Sequence, residues 1–138
     1  MTQEDKELLL QDLCARLPYG VKCRGTFCKK DNRCKGGIKI QDKDFIFDGV
    51  IYSEDNVFEL DSNSFIDISS VKPYLRPMSS MTEEEIKEYK HLINRYASSN
   101  PDSAINMINW LNAHHFDYNG LIEKGLAIEV TKDNNPYE

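Results

Sequence analysis

Residues 71–92, VKPYLRPMSSMTEEEIKEYKHL, constrain the fold of this chain more than any other stretch. Lys72-Pro73 and Arg76-Pro77 each hold the residue before proline out of the helical region, so Tyr74 to Met78 must run extended or through a single turn. Thr82 followed by Glu85 is a capping box, Glu83 and Glu84 suit the positive end of a helix dipole, and Met81 is placed to staple onto Ile86. A helix therefore starts at Glu83, with Ile86, Tyr89, Ile93 and Tyr96 as its apolar stripe and Lys87, Glu88, Lys90, Asn94 and Arg95 opposite. The text before this joint reads mainly as strands and the text after it as helices, which predicts an α+β fold.

Upstream, Thr2 and Asp5 form a weaker capping signal, and Leu9, Leu10, Leu13, Cys14 and Leu17 recur at helical spacing, giving a first helix from about Gln3 to Arg16. Pro18 and Gly20 end it. From Val21 the period becomes two: Val21, Cys23, Gly25 and Phe27 share one face, Lys22, Arg24 and Thr26 the other. Lys29 to Gly37 reads as a loop, Ile38 and Ile40 begin the return, Asp42 to Asp44 turn, and Phe45 to Tyr52 is the expected centre of the sheet, apolar on both faces. Val57 to Leu60 and Phe65 to Ile68 complete a five-stranded antiparallel meander or SH3-like barrel; an open sheet with the first helix packed on it is the alternative.

Downstream, Asn100-Pro101 opens a third helix that runs to about His114, with Ala104, Ile105, Ile108 and Leu111 inward and Met107 and Trp110 widening the arc. A short fourth helix is expected from Asp117 to Gly125, where a left-handed glycine folds Leu126 back on Leu121. Leu126 to Val130 is an apolar tail. At 138 residues the expectation is one compact domain, with 1–70 helix plus meander, 71–82 joint, 83–130 helical layer and 131–138 a frayed tail.

A net charge of −6 opposes a general nucleic-acid-binding field. The basic hairpin 22–39, with Lys29, Lys30 and Arg33, is the place where nucleic acid would bind, or else a solvated strand face. The start carries acids rather than a basic targeting run, and no apolar stretch approaches the ~20 residues that span a bilayer, so the cytoplasm is expected, without membrane contact. No cofactor is expected. Cys14, Cys23, Cys28 and Cys34 are separated by eight, four and five residues, which lacks the knuckle of a zinc site; Cys23, Cys28 and Cys34 are weak metal candidates. His114 and His115 with Asp117 are the other weak candidates, for metal or acid/base chemistry. Adjacent helical residues point about 100° apart, so both histidines reach one metal only if the helix ends between them. No catalytic residue is assigned. Aromatic residues with an arginine suggest a protein-binding patch made of Tyr74, Arg76, Trp110 and Tyr118.

At VKPYLRPMSSMTEEE (71–85) and WLNAHHFDYNGLIEKGLAIE (110–129), and more briefly at DLCARLPYGV (12–21), the chain resembles a family of small proteins from gut Bacteroides and relatives, often encoded in prophage-like or mobile regions. That resemblance implies a phage or mobile-element setting and brings no activity or catalytic residue with it.

Overall fold

A computed structural model of the chain describes residues 2–30, 38–47, 57–61, 64–96 and 101–137. The elements are α1 (Gln3–Ala15), β1 (Lys22–Lys30), β2 (Ile38–Ile46), β3 (Val57–Asp61), β4 (Ser64–Asp67), β5 (Lys72–Leu75), α2 (Glu83–Tyr96), α3 (Pro101–Ala113) and β6 (Ile128–Glu129). The α+β class and the N-terminal helix agree with the sequence. Thr2 and Asp5 close a full capping box on α1, and Thr82 and Glu85 do so on α2.

The sheet is organised differently from the expectation. Its central strand is β1, not Phe45 to Tyr52, whose residues from 48 on lie outside the described residues. Antiparallel β2 pairs with all of β1, from Lys22 opposite Ile46 to Lys30 opposite Ile38. The other edge of β1 is shared: β4 takes Phe27 to Lys29 and β5 takes Cys23 and Arg24, both antiparallel. With β3 on β4, and β6 parallel to β5, six strands are linked among the described residues. A consecutive meander does not describe that pairing. Nor do Asp42 to Asp44 turn the chain. The strand runs straight through them, because Thr26 donates to Asp42 (2.5 Å) and Arg24 to Asp44 (3.2 Å) across the register, so acids that disfavour a strand alone are satisfied by their opposite residues.

The period-two pattern of β1 holds: Val21, Cys23, Gly25 and Phe27 are buried, and Arg24 is exposed. Val21, Cys23 and Phe27 join Leu9 and Leu13 of α1, Phe47, Val71 and Leu75 in a core closed from the C-terminal side by Leu121, Leu126 and Ala127.

The segment after α3 is a set of turns rather than a fourth helix. Asp117 still accepts the Leu121 and Ile122 amides (2.9 and 3.0 Å), and Gly125 is left-handed (φ 74°) with Leu126 bonded back to Leu121. Gly120, however, is also left-handed (φ 73°), which interrupts a helix before it can propagate. The tail is docked, not frayed. The Tyr137 hydroxyl donates to the Tyr74 carbonyl (2.7 Å) and accepts from the Lys22 amide (3.0 Å), and its ring lies flat on His115 at 3.7 Å. No helix among the described residues is long and apolar enough to cross a membrane.

Candidate functional site

The joint threads between the sheet and the α3 terminus. The Arg76 amide donates to the His115 carbonyl and the Asp117 amide to the Arg76 carbonyl, both at 2.8 Å. The Arg76 guanidinium then grips Glu85 with both arms (2.8 and 2.7 Å), touches the Ser80 carbonyl (3.3 Å) and lies over the Phe116 ring at 4.3 Å. Glu85 also accepts from the Thr82 amide (2.9 Å) and sits 3.2 Å from His114 Nδ1. The hydrogen bonds from Arg76 foremost hold its carboxyl down at about 2. An aromatic column continues outward: Trp110 stacks on Phe116 (5.7 Å), His114 (4.3 Å) and Tyr89 (5.8 Å), and its Nε1 donates to Glu88.

A second charged node lies deeper. Arg16 is fully buried, with Nε and Nη2 on the Asp12 carboxylate (2.7 and 3.1 Å) and Nη2 also on the Phe116 carbonyl (2.7 Å). Tyr118 covers the guanidinium at 5.1 Å and donates its hydroxyl to Asn112, while Asn119 donates to Asp12. Both faces of Phe116's neighbourhood are thus arginine-bound, one arginine from α1 and one from the joint.

Of the expected binding residues, Tyr74 is 5% exposed and ends on Asp44 (2.8 Å), so it belongs to the interior. Arg76 is committed to Glu85, and Trp110 is half-buried in the column. Tyr118 lines an open cavity. Its partners there come from three separated segments: Pro77, Met78 and Ser79 of the joint, Tyr89 of α2, and Asp117, Gly120, Ile122, Glu123 and Glu129. They enclose a cleft of about 620 Å³, within the size range of ligand sites. Sequence reading missed this lining because no single stretch carries it.

The two histidines do not converge. The α3 terminus is closed by paired bonds, His115 N–H to Asn112 and Phe116 N–H to Leu111, with His115 in the left-handed position (φ 62°) that glycine usually takes. The helix therefore ends just before them and splits their directions, His114 toward Glu85 and His115 onto Tyr137. No group of three metal-binding side chains occurs among the described residues. Cys23 is buried, its thiol pushed far up by burial, and Cys14 is exposed. Cys34 and Arg33 lie outside the described residues, and Cys28, Lys29 and Lys30 are placed only by backbone, with Lys29 opposite Lys39 toward the far end of the hairpin.

Burial first, and the Arg16 charge second, push His115 down to about 4. A folded value below the ordinary 6.5 means the unfolded chain takes up the proton first. Stability should therefore fall as pH drops from about 6.5 to 4, by about 1–2 kcal/mol after allowance for solvent screening. His115→Asn keeps a residue tolerant of the left-handed backbone and removes the titration. Urea midpoints between about pH 6.5 and 5 should slope in the parent and be nearly flat in the variant.

The chain matches no family model, no curated protein and no solved structure.

Proposed function

We propose that the chain is a non-enzymatic, cytoplasmic interaction or regulatory module of a phage or mobile element, which binds another protein through the α2–α3 pair. The observation that carries this reading is the surface of those helices. None of the residues Glu83 to Asn94 of α2 is buried, yet Ile86 and Ile93 stand 38% and 39% exposed, and on α3 Ile105 and Ile108 stand 59% and 36% exposed. Branched aliphatics seven apart on one helix and three apart on its neighbour form apolar stripes of the sort a partner covers. The inner stripe of α2 turns out to be Glu85, Tyr89 and Leu92, which leaves the isoleucines on its flank. Arg76 and Trp110 support the reading indirectly, by holding α2 and α3 against the joint.

Ile86→Glu combined with Ile93→Glu tests this. Pull-down with tagged protein from the host should lose its specific partner, with recovery down about tenfold, while the thermal midpoint falls by only a few degrees because the positions are partly exposed. Undiminished partner recovery, or a large fall in midpoint, defeats the proposal. Nucleic-acid binding at the hairpin is the alternative, supported by the register that sets Lys29 opposite Lys39.

A further inference from the structure

The cleft beside the joint has a chemistry of its own, separate from the isoleucine stripes. Pro77, Met78 and Ile122 give it apolar wall, Tyr89 and Tyr118 give it aromatic wall, and Asp117, Glu123 and Glu129 give it carboxylates. Among the described residues no lysine or arginine lines it. The three carboxylates are not equivalent. Asp117 is occupied on both oxygens by the Leu121 and Ile122 amides. No hydrogen bond or ion pair to the Glu123 or Glu129 carboxylate occurs among the described residues, and both residues line the cavity.

Aromatic rings beside unpaired carboxylates are surroundings that favour an ammonium or guanidinium group, through ring quadrupole and Coulomb attraction together. The apolar wall suits the methylene stem that such a side chain carries. We infer that this cleft binds the lysine or arginine side chain of an extended, basic and aliphatic segment of a partner protein. The volume of about 620 Å³ holds a few residues rather than one ion. This site stands independently of the α2–α3 surface: a chain could use either without the other.

The test is titration of the full chain with the peptide Ac-Lys-Leu-Lys-NH2 at low salt, following the methyl signals of Met78 and Ile122 by NMR. Saturable shifts at those two methyls are expected, with no response to Ac-Glu-Leu-Glu-NH2. Glu123→Gln with Glu129→Gln should weaken binding about fivefold, as the loss of two exposed charge contacts implies. Glu4→Gln with Glu7→Gln removes the same net charge from α1 and should leave affinity within about twofold. Equal weakening by both pairs would reduce the effect to the net charge of the chain and overturn the assignment. So would shifts absent from Met78 and Ile122, or an affinity for spermidine equal to that for the peptide, since a free polyamine would then suffice. Both double variants change exposed carboxylates, so unchanged amide spectra will show that they remain folded.

Discussion

Asp12→Ala is expected to destabilise the fold by about 3–5 kcal/mol, the cost of leaving a buried charge without its partner. Arg16 is fully buried, and Asp12 supplies the carboxylate that both Nε and Nη2 reach. The Arg16 Nη1 atom already lacks a partner among the described residues, so the guanidinium has no reserve when the carboxylate goes. The damage should extend to Asn119, which loses its acceptor, and to the Phe116 carbonyl, which depends on Arg16 staying in place. For a chain of this size the midpoint of thermal unfolding should fall by roughly 10–20 °C. Asp12→Ala combined with Arg16→Met should recover part of the loss, because removing both charges abolishes the desolvation penalty while the Phe116 carbonyl stays unsatisfied. A single-variant loss under about 1 kcal/mol would mean that the pair is hydrated and not structural.

The second large effect concerns the joint. Arg76→Ala should cost about 2–4 kcal/mol, since it removes a bidentate ion pair that is largely shielded from water, a carbonyl contact and the cover of the Phe116 ring. Arg76→Lys should recover less than half, because an ammonium cannot reproduce the fork that meets both Glu85 oxygens. The same contact predicts an acid transition. Glu85 is held at about 2 against an ordinary 4.5. A depressed carboxylate contributes stability that is fully present above the unfolded value and is lost as pH falls through the folded one. The loss should therefore occur between about pH 4.5 and 2 and amount to roughly 2–3 kcal/mol, with Arg76, Thr82 and His114 as the groups that face the carboxylate. Glu85→Gln should start lower and show no slope there. This window lies below that of His115, so denaturation over pH 7 to 2 should resolve two separate limbs, each removed by its own variant.

Each signal in the sequence reaches only as far along the chain as the interaction behind it. Capping boxes at Thr2 and Thr82 involve residues three apart, and both formed. The alternation from Val21 to Phe27 set the face of β1 because side-chain direction in a strand depends only on the neighbouring residue. The fourth helix failed for an equally local reason, a second left-handed glycine at Gly120, which composition alone does not reveal. Asp42 to Asp44 resemble a turn in sequence because their partners, Thr26 and Arg24, lie sixteen and twenty residues away across the register. Tyr137 looked like a frayed end for the same reason, since the atoms that hold it belong to Lys22, Tyr74 and His115. Arg16 and Asp12 were the missed legible signal: their spacing of four along a helix is that of an ion pair.

By itself, the sequence determined where α1 and α2 start, how the joint is forced to run extended by two prolines, and which side of β1 meets the core. These are short-range steric and hydrogen-bonding constraints. Only the tertiary structure decided that β1 is central, that Arg76 closes on Glu85 while Arg16 closes on Asp12 and the Phe116 carbonyl, that the two histidines part, and that residues from three segments meet in one cleft. Those outcomes depend on which distant groups are brought together when water is excluded, and a charge or an amide left without a partner there costs more than any local propensity offers.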